Sequence, residues 1–231
     1  GKAREVVSEL SFATGASQLE FVDALVATAD IPWSAIEFFH LDEYVGLASD
    51  HDQSYHYFMQ DNLFQHINIP SDKAHVPDGM SEDHEAFCEQ YEQAIVDAGG
   101  IDLQVLGIGG DGHIAFNEPG SSLGSRTRLK TLTNETVDDN SRFFDSIDDV
   151  PRYAITMGVG TILEAGHCVL MANGEKKAEV VALALEGPVS ALVTASALQL
   201  HRKVTVILDE PAASKLKLRD YYRWVYEQKP G

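Results

Sequence analysis

With 231 residues, 44% of them apolar and including ten Phe and eight Tyr, the chain can bury a sizeable core in one α/β domain. Its 36 acidic against 17 basic residues leave a net charge of −19, which excludes the basic footprint of a nucleic-acid surface. No apolar run approaches the roughly 20 residues of a membrane span. The first residues, Gly1-Lys2-Ala3-Arg4-Glu5, hold no signal-peptide hydrophobic region. Two distant cysteines, Cys88 and Cys168, without a Cys-x-x-Cys partner, are expected as free thiols in a reducing cytoplasm. A charge this negative mostly means solubility. It leaves room for a phosphorylated substrate, because local Arg and Lys can outweigh the global field.

In chain order, a short helix or strand fragment over 6–10 is followed by Thr14-Gly15-Ala16-Ser17, a loop of small residues leading into a helix predicted over 18–29. Such a loop at a helix start can cradle a phosphate; an ordinary N-cap at Ser17 is the competing reading. A strand over 35–40 runs into Leu41-Asp42-Glu43-Tyr44-Val45-Gly46-Leu47, which places two adjacent carboxylates at a strand end, where catalytic loops lie. Helices are predicted over 55–66 and 82–98, the second stopped by Gly99-Gly100. His51, His56, His66, His75 and His84 lack zinc-like spacing and read as helix-face or surface residues.

The apolar run over 101–108 reads as a buried parallel strand. It breaks into Gly107-Ile108-Gly109-Gly110-Asp111-Gly112-His113, where four glycines in six positions let the backbone turn sharply. Gly107-x-Gly109-x-x-Gly112 matches a dinucleotide fingerprint, but Asn117-Glu118-Pro119-Gly120 forbids the helix which that motif must open. Asp111, His113 and Glu118 then sit beyond the carboxyl end of a strand, where open α/β sheets bind ligands. A histidine flanked by carboxylates is a tunable acid–base group, and Asp42 on another strand end would be a second, independent base.

Arg126, Arg128 and Lys130 alternate, which puts three cations on one face of a strand and makes an anion site or a solvated edge. Arg142 closes a helix predicted over 135–144. A strand over 153–156, a helix over 162–165, a strand over 168–172, a helix over 178–185, a strand over 204–208 and an aromatic helix over 216–227 complete the chain. Lys177 precedes the helix over 178–185. Strand and helix alternate throughout. The expected fold is α/β, a single domain over 1–231 built on a mostly parallel, doubly wound, Rossmann-like sheet with helices on both faces. With no nucleophile elbow and no Walker loop, the residues point to proton transfer on a small phosphorylated molecule.

The segments Leu41-Asp42-Glu43-Tyr44-Val45-Gly46-Leu47 and Gly109 to Pro119, continued by Ser121-Ser122-Leu123-Gly124-Ser125-Arg126-Thr127-Arg128, resemble the glucosamine-6-phosphate deaminase family. The likeness runs from about Thr14 to the tail. It implies an enzyme that converts glucosamine 6-phosphate and water to fructose 6-phosphate and ammonia. By this resemblance Asp42 moves a proton between C2 and C1 of the opened sugar, and His113 opens the ring while Asp111 and Glu118 hold it. Thr14, Gly15, Ala16, Ser17, Arg142 and Lys177 hold the phosphate, and no metal or redox cofactor enters. Some family members are hexamers activated by N-acetylglucosamine 6-phosphate. Ser121, Ser122, Arg128, Lys130 and Thr131 match that effector site, while the family's tail tyrosine falls on Arg223 here, so hexamer and monomer both stay open. A 6-phosphogluconolactonase-type hydrolase and a non-catalytic sugar-phosphate sensor are the alternatives; both share the fold without needing Asp42 and His113 together.

Overall fold

The computed structural model describes residues 9–12 and 16–229. Six strands form one parallel sheet: β1 (Glu9–Phe12), β2 (Glu37–His40), β4 (Ala74–His75), β5 (Leu103–Leu106), β8 (His167–Ala172) and β9 (Val204–Leu208). Their order across the sheet is β4-β2-β1-β5-β8-β9, so the chain winds outward from β1 first one way and then the other. The reversal falls between β1 and β5, and the crevice beyond their carboxyl ends is the ligand site such a topology provides.

Adjacent residues of each strand serve opposite faces. Phe39, Leu106 and Leu170 pack against Tyr91 and Ile95 of α3 (His84–Ala98), Ile162 of α5 (Val159–Leu163) and Val181 of α6 (Ala178–Glu186). Phe38 and Val105, one residue out of phase, pack instead with Val22 of α1 (Ala16–Ala27) and Met59 of α2 (Tyr55–Asn62). Burial on both faces explains why these strands read as apolar runs rather than as alternation.

One part of the architecture departs from the expectation. The strand over 153–156 does not join the parallel sheet. As β7 (Tyr153–Thr156) it pairs antiparallel with β3 (Asp42–Tyr44) on one side and with β6 (Arg128–Thr131) on the other. The Asp42-Glu43 pair therefore lies on a strand and not in a loop: its partners are Thr156 and Ile155. A short segment of buried residues flanked by polar ones gives no alternation by which sequence could separate a second sheet from the first.

Boundaries moved in a consistent sense. α1 starts two residues before the predicted 18, and α2 and α4 (Asn134–Asn140) each give way to a 3-10 turn, over Phe64–His66 and Ser141–Phe143. β4 and the long 3-10 segment Thr194–Leu200, buried from Thr194 to Leu198, had no sequence expectation. The tail helix, α7 (Arg219–Glu227), keeps Tyr221, Trp224 and Tyr226 exposed. No helix among the described residues is long and apolar enough to cross a membrane.

Leu170 is fully buried on β8, between Leu106 of β5 and Val206 of β9. Leu170→Ala should cost about 3 kcal/mol, a transfer loss plus an unfilled cavity. Thermal unfolding should then shift down by roughly 6–12 °C for a chain of this size; an unchanged midpoint would contradict this packing.

Candidate active site

Four neighbouring strands deliver their carboxyl ends to one edge. After β2 comes Asp42, after β1 the start of α1, after β5 the loop with Asp111 and His113, and after β8 the turn with Lys177. Thr14 and Gly15 lie outside the described residues. Ala16 and Ser17 open the first turn of α1 and are described by their backbone alone. Ser17 is thus inside the helix rather than its N-cap, and the dipole of a helix that begins at Ala16 still favours an anion there.

The loop after β5 is shaped around an imidazole. A Cβ at Gly109 would lie 2.4 Å from both Cε1 and Nε2 of His113, so only glycine lets the ring cross the backbone there. Gly112 has φ of +89°, which glycine adopts without strain, and a Cβ on it would meet Val193 at 2.7 Å. No helix opens on Gly112, which removes the geometry a dinucleotide fold requires. The peptide N–H of His113 donates to Asp111 Oδ1 at 3.0 Å. His113 Nδ1 is buried, 2.7 Å from Asp111 Oδ1 and 3.9 Å from Glu118 Oε2. The shorter approach is an ion-pair distance off the straight line of a hydrogen bond. With two carboxylates facing Nδ1, Nε2 is the ring nitrogen left for another partner.

The two carboxylates are themselves held. Burial raises Asp111, but the hydrogen bond and charge of His113 outweigh it and hold the group below the usual carboxylate range. Glu118 accepts from the N–H of Thr133 at 3.2 Å and from its hydroxyl at 3.1 Å. Ligand atoms of Asp111, His113 and Glu118 lie within 4.8 Å of one another, a spacing a cation could also use. Asp111 already faces Nδ1, and both oxygens of Glu118 accept from Thr133.

Asp42 and Glu43, adjacent in sequence, do different work. Glu43 is buried and accepts from the N–H groups of Tyr44, Tyr55 and His56 at 2.7, 3.0 and 2.8 Å and from the Ser54 hydroxyl at 2.9 Å. It closes the start of α2 as an anion at a helix N-terminus. Asp42 has no such shell. Burial, reinforced by the charge of Glu43, holds its carboxyl well above the usual range. Beneath it His40 is fully buried, its Nδ1 2.7 Å from the Asp42 carbonyl, and burial pushes this imidazole down to about 4. A carboxylate lifted in this way is a competent base once ionised.

Lys177 Nζ donates to the Ile108 carbonyl at 2.7 Å. Burial lowers its ammonium, Asp139 and Asp111 draw it back up, and Arg142 lowers it again, so the two cations share one neighbourhood. Arg142 lies over the ring of Phe143 at 4.7 Å.

The expected row of three cations is not formed. Arg126 precedes β6 and pairs with Glu92 at 2.6 Å and Glu164 at 2.8 Å. Arg128 and Lys130 share a face of β6, half-buried, while Thr131 is exposed on the other. Arg128 donates to Asn117 Oδ1 at 3.0 Å. The Ser121 hydroxyl is buried without a partner, and Ser122 is exposed and accepts from the Gly124 N–H. A groove of about 470 Å³ between α3 and β6 runs past His84, Cys88 and Arg128. It is not lined by Asp42, Asp111, His113 or Glu118. The chemistry is therefore assigned by the side chains and not by this groove.

Comparison with known proteins identifies the family. Residues 3–207 match the family described as glucosamine-6-phosphate isomerases/6-phosphogluconolactonase. The chain belongs to that family. It is 51% identical over 234 aligned positions to a glucosamine-6-phosphate deaminase of Rhodococcus jostii, covering all of this chain and 90% of the relative. A Streptomyces avermitilis protein of the same name is 51% identical over 225 positions, covering 96% and 86%. Among solved structures, a monomeric glucosamine-6-phosphate deaminase superposes with a TM-score of 0.87 at 44% identity, covering 90% of this chain and 88% of that one. A 6-phosphogluconolactonase of Thermotoga maritima reaches a TM-score of 0.70 at 22% identity, over 89% and 86%, which is a likeness of fold.

Family resemblance in the sequence pointed to the acid–base residues but not to what fixes them. Asn117 and Thr194 were not singled out, although the Thr194 hydroxyl accepts from the Ile114 N–H and donates to the Asn117 carbonyl. Asn117 stood inside the quoted motif. Thr194, 77 residues from Asn117, carried no local signal.

Two substitutions probe the construction. Gly109→Ala should displace the imidazole and reduce turnover by about 100-fold or more, since a shift near 1 Å is enough. Glu43→Ala should strand the donors at the start of α2 and cost about 3 kcal/mol of unfolding free energy. Near-normal turnover in the first, or denaturant midpoints unchanged in the second, would contradict these assignments.

Proposed function

We infer that the chain is a glucosamine-6-phosphate deaminase, which converts glucosamine 6-phosphate and water to fructose 6-phosphate and ammonia. One observation carries the reading: a buried, desolvated carboxylate and a carboxylate-held imidazole occupy separate strand ends on one sheet edge. Half-identical glucosamine-6-phosphate deaminases over the whole chain point the same way.

His113 Nε2 delivers a proton to the ring oxygen as the C1 hydroxyl loses its own, and the pyranose opens to the aldehyde. Asp111 and Glu118 hold the imidazole and balance the charge it gains. The aldehyde acidifies the C2 hydrogen. Asp42 takes that proton, leaving a cis-enolamine, and returns a proton to C1. The product is an imine at C2; water adds to it, and collapse of the carbinolamine expels ammonia and leaves the ketone. The phosphate is held by the start of α1 (Thr14, Gly15, Ala16 and Ser17) with Lys177 and Arg142. No step calls for a metal or a redox cofactor. The two cysteines, free and buried, agree with a cytoplasmic setting.

For the effector, Ser121, Ser122, Arg128, Lys130 and Thr131 would serve a hexamer with N-acetylglucosamine 6-phosphate at its interface. A monomer would respond to none.

Ammonia and fructose 6-phosphate should appear in equal amounts from glucosamine 6-phosphate, with no hydrolysis of 6-phosphogluconolactone. Lactone hydrolysis without ammonia would move the chain to the hydrolase branch, and tight binding without turnover to the sensor. Asp42→Asn should abolish turnover while preserving binding. Because Asp42 acts ionised and its carboxyl is raised, kcat/KM should rise with pH along an acid limb above the ordinary carboxylate range. The same sign makes the contribution of Asp42 to stability decline as pH rises through that limb. An acid limb at the ordinary carboxylate position would contradict the burial of the base.

A further inference from the structure

We propose that Asn117 is the positioning residue of the acid–base cluster, with Arg128 as its clamp; the inference rests on the deaminase reading above. Asn117 is fully buried and every polar atom of its side chain is engaged. Nδ2 donates to the Ile114 carbonyl at 3.0 Å and to the Met157 carbonyl at 2.9 Å, and Oδ1 accepts from Arg128 at 3.0 Å. The Asn117 N–H donates to the same Ile114 carbonyl at 3.1 Å. One residue thus fixes the carbonyl of Ile114, the residue after His113, while standing itself directly before Glu118. It ties both to the end of β7 through Met157.

The segment needs such a fixture. Ala115, between these two points, has φ of +49°, a left-handed conformation that costs an L-residue energy unless its surroundings impose it. The turn is held from outside by the Thr156 hydroxyl, which accepts from the Phe116 N–H, and by Thr194. Of these groups only Asn117 reaches a charged side chain in a second layer of the molecule. Arg128 has a half-buried guanidinium that also donates to the Arg126 carbonyl. Arg126 is in turn paired with Glu92, which also accepts from the Thr127 N–H and the Thr161 hydroxyl, each at 2.6 Å. One guanidinium nitrogen is thereby aimed at Asn117. The separation of Glu118 from His113 Nδ1 is set by this chain of contacts, while the phosphate ligands Lys177 and Arg142 lie outside it.

That division dictates the test: steady-state ammonia release from glucosamine 6-phosphate by the full chain and three variants, beside their thermal unfolding midpoints. Asn117→Asp keeps size and the Arg128 contact but sets an oxygen against two carbonyls. It should lower kcat by about 100-fold with KM within about twofold of the parent. Arg128→Gln should lower kcat by roughly tenfold at an unchanged midpoint, and Arg128→Lys should restore most of that loss. Parent-like kcat in Asn117→Asp, a rise in KM with kcat retained, or kcat losses that merely follow the unfolded fraction would overturn the proposal. If Asn117→Asp does not fold, the Arg128 pair decides it alone: equal kcat in Arg128→Gln and the parent overturns it. A parent chain that releases no ammonia fails one step earlier and overturns the deaminase reading together with this inference.

Discussion

The loss of water around Asp42 is the constraint on which the rest of the site depends. The carboxyl lies where β2 leaves the parallel sheet and β3 begins the antiparallel one, with the Leu41 carbonyl already accepting from the Met157 N–H. A loop at that point would have let solvent reach the group and returned it to the ordinary carboxylate range. A buried strand paired with β7 does not. Glu43 makes this possible at the next position. Burial raises the Glu43 carboxyl, and its four hydrogen bonds at the start of α2 draw it back down, a compensation that the neighbouring Asp42 side chain lacks.

The second constraint is steric. The imidazole of His113 occupies the space a side chain at Gly109 would need, and the strained turn at Ala115 returns the chain so that Glu118 approaches the same nitrogen. Glycine supplies room and Asn117 supplies rigidity. Neither touches a reacting atom in the proposed chemistry, yet both decide where the reacting atoms stand. Rigid placement on the crossing of two sheets suits proton transfers that must occur at different carbons of one sugar.

How much of this was legible in the sequence depended on the range of the forces involved. The parallel strands were readable because burial on both faces writes a continuous apolar run, as in Leu103–Leu106, which falls inside the predicted 101–108; the edge strand Val204–Leu208, with Thr205 and Ile207 exposed, still agrees with its predicted bounds residue for residue. The grouping of Asp111, His113 and Glu118 was readable because they lie within eight residues on a glycine loop. The second sheet was not, since three strands of three or four residues from distant parts of the chain have no shared period. The cation row failed for a similar reason. Alternation correctly put Arg128 and Lys130 on one face, but the carboxylates of Glu92 and Glu164 that claim Arg126 come from α3 and the end of α5. The split between Asp42 and Glu43 could not be read either, because it is decided by the backbone of α2, eleven to thirteen residues away.

The most direct test of this account is a crystal structure of the chain with a non-reacting open-chain amino-sugar 6-phosphate bound. The account predicts the C1–C2 edge against the Asp42 carboxylate and the C5 oxygen facing His113 Nε2. It predicts the phosphate at the start of α1 between Lys177 and Arg142. A sugar seated instead in the groove lined by Cys88 and Arg128, or one whose C2 lies beyond the reach of Asp42, would contradict the assignment of the two proton-transfer groups.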